Sequence, residues 1–293
     1  MTPNPIAKVN RQLVTGMVLI AVAWTLSWLP KFTGDPEQLR THILFFPLWT
    51  GYALVVDYWV FRRKGTSLLR RNGRAYIGLF LISAPAWWFF EWLNTFTHNW
   101  EYLSKSSFSD LEYAVLASFS FSTVIPAVFG TAELVGTFGW MKRFPPGPRV
   151  SPTRRVLILH LILGIGMFIG IVLLPRYFFP CLWLSPYFIL AFINARLGHR
   201  SLLDYTATGN WRPLVALALG ALICGFFWEM WNYYSYPKWI YHVPLVGVGH
   251  IFEMPFLGYG GYFPFGLELF AMYHLVVGLI GKKSTLNQYI ELE

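Results

Sequence analysis

The sequence predicts an all-α, polytopic membrane protein built by duplication, and three observations carry that expectation. Of its 293 residues, 55% are hydrophobic and only 13% are charged, and the mean hydropathy is positive. That balance cannot furnish a polar skin for a soluble domain. The apolar residues gather into eight segments, and one motif is written twice. FFEWLN (89–94), followed by Trp100-Glu101-Tyr102, recurs as FFWEMWN (226–232), followed by Trp239-Ile240-Tyr241. Upstream, FPLW (46–49) with Ser67-Leu68-Leu69 answers FPCLW (179–183) with Ser201-Leu202-Leu203.

The segments are 12–30, 42–61, 75–95, 112–141, 155–175, 177–196, 213–234 and 252–281. Each is long enough, or nearly so, to cross about 30 Å of hydrocarbon. Basic residues fall in alternate connections. Lys8 and Arg11 precede the first helix, and Arg62, Arg63, Lys64, Arg70, Arg71 and Arg74 lie between the second and third. Lys142, Arg143, Arg149, Arg154 and Arg155 join the halves, Arg196, Arg200 and Arg212 follow the sixth helix, and Lys282 and Lys283 end the eighth. Both termini are therefore expected to be cytoplasmic. The net charge of +9 follows from this bias and from attraction to anionic membrane lipid, with nothing to suggest a nucleic-acid partner.

About eight transmembrane helices thus divide into two tandem four-helix repeats. Residues 1–141 are the first repeat, 142–155 a proline-rich cytoplasmic linker, and 156–293 the second. An even number of helices per repeat gives both copies the same orientation, related by a pseudo-twofold axis along the membrane normal. Cys181 and Cys224 fall within spans and form no metal or redox motif.

Carboxylates inside apolar runs are costly, and those of a repeated motif are functional candidates. Glu91 and Glu229 lie near the outer ends of the third and seventh helices. Asn94 and Asn232, three residues on, share a helix face with them and are expected to orient them by a hydrogen bond. Glu112 and Glu253 are read as opening the fourth and eighth helices, so that four carboxylates gather at one depth. Withdrawal of water by Trp87, Phe90, Phe226 and Trp228 would keep a carboxyl protonated, as a general acid for an alkene requires. Trp100, Tyr102, Trp239 and Tyr241 offer aromatic faces that stabilise a cation without quenching it. His250 and Glu253, read as one helix turn, repeat the spacing of His98 and Glu101, but no third ligand is placed, and no metal site is expected. Asp57, Glu133 and Glu268 are further acids within spans whose roles the sequence leaves open. Gly258, Gly260 and Gly261, with Pro255 and Pro264, make the eighth helix irregular, a feature tolerated beside a protein-lined cavity.

Together these residues resemble the integral-membrane lycopene cyclase family, over roughly 85–125 and 223–265. In that family an acidic residue near a helix end is followed by an aromatic segment and then by a glutamate that opens the next helix. Glu91 and Glu229, Trp100 with Tyr102, Trp239 with Tyr241, and Glu112 and Glu253 occupy those places. The chain has one acid at Leu111-Glu112 and at Phe252-Glu253 where the family shows an adjacent pair, and four helices per repeat where the family has three. The resemblance implies non-redox acid–base chemistry on a long isoprenoid or carotenoid, by cyclisation or hydration and without a cofactor, in a bacterial or archaeal cell membrane. Glu229 or Glu91 would protonate a terminal double bond, Glu253 or Glu112 would accept the departing proton, and Asn94, Asn232, the W-x-Y residues and His250 would contact substrate. A transporter or lipid-binding protein using the same carboxylates is the other expectation, and a silent scaffold a third.

Overall fold

The computed structural model describes residues 5–33, 41–103, 105–281 and 289–292. Lys282 and Lys283 lie outside the described residues. Among the described residues nine helices of twelve residues or more follow in order: α1 (Pro5–Thr33), α2 (Phe45–Lys64), α3 (Gly73–Thr97), α4 (Asp110–Phe121), α5 (Val124–Gly136), α6 (Arg154–Leu173), α7 (Cys181–Leu197), α8 (Arg212–Asn232) and α9 (Tyr262–Ile280). Arg154 and Arg155 open α6 rather than closing the linker, and Lys8 and Arg11 already lie within α1.

Every expected segment contains an α-helix, and among the described residues six stretches are long and apolar enough to cross a membrane: 10–29, 73–97, 110–136, 154–173, 212–232 and 256–280. The second and sixth segments differ for physical reasons. α2 contains Asp57 and ends in Arg62-Arg63-Lys64. α7 has 17 residues, about 26 Å at 1.5 Å per residue, just short of the hydrocarbon thickness. Aliphatic side chains stand exposed along the first helix of each half, Val14, Val18 and Val22 on α1 and Ile158, Ile162 and Ile169 on α6. Such faces suit contact with lipid rather than water.

The fourth segment is broken between α4 and α5. The hydroxyls of Ser122 and Thr123 donate back to the carbonyls of Phe119 and Ser120, an alternative to the helical ladder. Ser83 of α3 closes the gap, donating to the Phe121 carbonyl at 2.6 Å and accepting the Ile125 amide at 3.0 Å. In the second half the irregularity is a 3-10 segment, Phe256–Gly261, leading into α9.

Several helix contacts before the linker have a counterpart after it. α1 lies on α2 and α6 on α7; α2 lies on α5 and α7 on α9; α3 lies on α5 and α8 on α9. α8 also packs on α5 across the halves, closely enough that a Cβ on Gly220 would lie 2.8 Å from the Ala132 amide nitrogen. Small residues permit such backbone approach. The punctuation is duplicated as well. Gly65 and Gly198, in left-handed conformation, end α2 and α7, where glycine carries no Cβ penalty. Ser67 and Ser201 cap the one-turn helices Leu68–Arg71 and Leu202–Thr206. Asn72 and Asn210 then accept the backbone N–H of Arg74 and Arg212.

Two of the open acids find their roles at the basic end of the bundle. Asp57 accepts the Ser67 hydroxyl at 2.9 Å, the Leu69 amide at 3.0 Å and the Gln12 side chain at 3.0 Å, organising the turn after α2. Glu133 pairs with Arg71 and accepts the Glu291 amide at 2.8 Å. Tyr289, Ile290 and Leu292 are buried there. Arg71 donates to the Tyr289 carbonyl, Lys64 pairs with Glu291, and Arg200 of the second half donates to the Ile290 carbonyl. Glu268 is fully buried on α9, and neither carboxyl oxygen has a hydrogen-bond partner among the described residues.

Candidate active site

At the opposite end of the bundle the two W-x-Y segments meet. Trp100–Tyr102 (β1) and Trp239–Tyr241 (β2) form an antiparallel pair in which Trp100 faces Tyr241, Glu101 faces Ile240 and Tyr102 faces Trp239. The bonds from the Leu103 amide to the Lys238 carbonyl and from the His242 amide to the Asn99 carbonyl extend the ladder at both ends. Each strand is fastened to the end of its preceding helix by asparagine. Asn94 Nδ2 donates to the Trp100 carbonyl at 2.8 Å while its Oδ1 accepts the Asn99 amide at 2.8 Å. Asn232 Nδ2 donates to the Trp239 carbonyl at 2.7 Å and its Oδ1 accepts the Trp239 amide at 2.9 Å. The asparagines therefore clamp the strands rather than orienting the glutamates, a correction to the role the i, i+3 spacing suggested.

The glutamates are oriented by the strands instead. Glu91 Oε1 accepts Trp87 Nε1 at 2.9 Å, Trp100 Nε1 at 3.1 Å and the Tyr102 hydroxyl at 2.6 Å. Glu229 Oε1 accepts the hydroxyls of Tyr241 at 2.6 Å and Tyr262 at 2.7 Å, while Trp239 Nε1 donates to the Tyr241 hydroxyl at 2.9 Å. Burial, and then the adjacent carboxyl group, raises the phenol pKa of both Tyr102 and Tyr241 above the ordinary range. Both phenols are thus neutral hydroxyls, able to pass a proton without ionising themselves.

Between these groups lies a cavity of about 170 Å³. Trp100, Tyr102, Trp239, Tyr241 and Tyr262 line it, together with Trp87, Trp183, Trp228 and Phe265. Trp100 and Trp183 stack with centroids 6.1 Å apart and planes 5° from parallel, and Trp183 meets Phe265 edge-on at 4.8 Å. A dry cavity of about 150 Å³ holds a benzene ring, so the space suits the end of a long apolar molecule rather than its length. Glu91 and Glu229 stand behind this wall, reached through the Tyr and Trp donors that face the cavity.

The other expected site residues lie elsewhere. Glu112 is in the first turn of α4, its amide bonded to Ser109 Oγ, and is half-buried. Glu253 does not open a helix: it sits in the turn between β3 (His250–Ile251) and β4 (Met254–Pro255) and is ion-paired with Lys238. His250 lies on β3, exposed, and not on a helical turn with Glu253. The hairpin turns at Phe252-Glu253 and the Gly-rich stretch after it is the 3-10 segment Phe256–Gly261, both of which a helical reading of 252–281 overlooked. Four carboxylates in one pocket is therefore corrected: Glu91 and Glu229 stand behind the cavity wall, joined to it through Tyr102, Tyr241 and Tyr262, and Glu112 and Glu253 lie elsewhere. Among the described residues no group of three His, Cys, Asp or Glu side chains comes together. Sequence reasoning missed Tyr262 and Trp183, and the second of these was already visible in the duplicated FPLW/FPCLW pattern.

Comparison with protein-family models, with curated proteins and with solved structures finds no match, so what this site does is argued from its own geometry.

Proposed function

We propose that the chain is a membrane enzyme that acts on a long isoprenoid or carotenoid by non-redox acid–base chemistry, cyclisation or hydration initiated at a double bond. The observation that carries this reading is the pairing of a recessed carboxyl group with a cavity-facing tyrosine hydroxyl, Glu229 with Tyr241 at 2.6 Å and Glu91 with Tyr102 at 2.6 Å, in an aromatic chamber. A proton adds to a terminal double bond, leaving a carbocation. The faces of Trp100, Trp183 and Trp228 stabilise the cation, and a carboxylate takes the proton released from the neighbouring carbon. Because Glu253 is paired with Lys238, the acceptor in this reading is the second member of the Glu91–Glu229 pair.

The eight helical segments are, in this reading, two tandem four-helix repeats related by a pseudo-twofold axis along the membrane normal, with both termini cytoplasmic. The parallel packing of the halves, the shared caps and the antiparallel pairing of β1 with β2 support it. A transporter reading draws on one observation, the buried Glu268, whose carboxyl oxygens have no hydrogen-bond partner among the described residues. The test is direct: organic extraction of the purified protein should yield a polyene spectrum or an isoprenoid mass, and the identified compound should be turned over by wild type but not by Glu229→Gln. Proton or solute flux in liposomes without bound isoprenoid would favour transport instead.

A further inference from the structure

Within the reading just given, on which this step rests, we infer that the duplicated glutamates have separated into a proton donor and a proton acceptor: Glu229 gives its proton through the Tyr262 hydroxyl, and Glu91 holds the negative charge.

The argument begins where the copies differ. Trp87 precedes Glu91 by one helical turn and donates its indole N–H to it at 2.9 Å. The residue one turn before Glu229 is Gly225, and a Cβ there would lie 2.3 Å from the Tyr262 ring. Glycine at this position is what admits that ring. Tyr262 opens α9, and Val124, which opens α5 at the corresponding place in the first half, also lines the cavity but has no donor. The pair Trp87 and Val124 has been exchanged for Gly225 and Tyr262. A donor to the glutamate is kept in both halves, but its chemistry changes.

That change decides what each carboxyl group can do. An indole N–H only donates, whereas a phenol hydroxyl donates or accepts. Glu91 receives two indoles and one hydroxyl on a single oxygen, and convergent donors that cannot reverse favour the charged form. The two hydrogen bonds that Glu229 Oε1 accepts within 3 Å come from hydroxyls, which can turn round as a proton leaves, while the Trp239 indole that also acts on Glu229 directs its N–H to the Tyr241 hydroxyl at 2.9 Å. Its Oε2 is buried with no hydrogen-bond partner among the described residues, a costly arrangement for a full charge. The surrounding charges run the same way. Lys105 acts on Glu91, with Tyr102 and Tyr113 nearby. The groups around Glu229 are Tyr241, Tyr259 and Tyr262 and the carboxylate of Glu253, itself paired with Lys238.

In the step, the Tyr262 O–H proton adds to the alkene carbon as the Glu229 proton replaces it on the phenol, leaving a carbocation and the Glu229 carboxylate. The adjacent carbon loses its proton to the Tyr102 hydroxyl as that hydroxyl's own proton passes to Glu91, and the new double bond forms. Water returns a proton to Glu229 and removes one from Glu91 between turnovers, so the net change is an isomerisation.

Infrared spectroscopy of the purified protein at neutral pH tests this without substrate. The carbonyl band of a protonated carboxyl group should be present in wild type and in Glu91→Gln and lost in Glu229→Gln, with Glu268→Gln identifying the other buried carboxyl. In Tyr262→Phe, which leaves the ring in place, the band should remain but shift as its hydrogen bond is lost, and turnover should fall on the order of 100-fold with binding retained. A band that survives Glu229→Gln, vanishes in Glu91→Gln, or ignores Tyr262→Phe overturns the assignment. If the extract holds no isoprenoid but the band behaves as stated, the substrate class fails and the division between the glutamates stands. If an isoprenoid is turned over while the band follows Glu91, the division fails and the substrate class stands.

Discussion

Asn232 holds Trp239 by both ends of its backbone, its amide nitrogen on the Trp239 carbonyl at 2.7 Å and its amide oxygen on the Trp239 N–H at 2.9 Å. This fork sets the height of β2 above α8, and with it the distance from the Tyr241 hydroxyl to Glu229. Replacing Asn232 with Asp keeps the acceptor but turns the donor into an oxygen facing a carbonyl. A buried carbonyl left unpaired costs about 1–3 kcal/mol. Thermal unfolding in detergent should show Asn232→Asp destabilised by that order, and Asn94→Asp similarly, since Asn94 grips the Trp100 carbonyl in the same way.

The join between the halves depends on Gly220 lying against Ala132. The atom in the way is backbone, so a larger side chain cannot be accommodated by a rotamer change. Gly220→Val should destabilise the protein by about 1–3 kcal/mol and reduce turnover through misalignment of α5 and α8, both read in the same detergent preparation. Gly78, beside which there is open space, should tolerate alanine with no comparable loss.

Ser83 is the third point of leverage. Its hydroxyl serves both sides of the break between α4 and α5. Ser83→Ala should cost about 1–3 kcal/mol, and Ser83→Thr, which keeps the hydroxyl, should recover part of it. Equal melting temperatures for wild type and Ser83→Ala would show that the break is satisfied by other means.

The C-terminal segment should respond to acid. Burial draws the Glu291 carboxyl group upward, but the hydrogen bond from Lys64 and the charges of Arg71 and Lys64 outweigh it and leave its pKa below the ordinary value. A carboxyl group lowered in the folded state adds stability above its unfolded pKa and loses it as the pH falls through the folded one. Docking of Tyr289–Leu292 should therefore hold at neutral pH and loosen only below the usual carboxylate range. Accessibility of a spin label or cysteine probe placed at Leu292 should rise there in wild type, and already at neutral pH in Glu291→Gln.

What was legible in the sequence was what the chain repeats. Glu91, Glu229 and the W-x-Y residues announced themselves by occurring twice in register, and the structure gathers them around one cavity. Tyr262 and Gly225 escaped because they mark where the copies diverge, and Trp87 was read only as a group that withdraws water, not as a donor to Glu91. The asparagines were misread because i, i+3 spacing shows which side chains share a face but not which unpaired backbone groups lie beyond the helix end. The break at 122–123 hid within a continuous apolar run, although the Ser118, Ser120, Ser122 and Thr123 hydroxyls there all bond to local carbonyls.

Strand β1 lies antiparallel to its own copy, with Glu101 opposite Ile240 at the centre. A segment that pairs with itself in this sense is self-complementary, as in an isologous dimer contact. One half alone would carry an open edge that only a second identical half could close, and every substitution in such a dimer would appear at both sites at once. Joining the halves in one chain fixes their local concentration whatever the abundance of the protein. It also frees the two sites to differ: Gly225 with Tyr262 on one side and Trp87 with Val124 on the other is an arrangement that no symmetric pair of chains can hold.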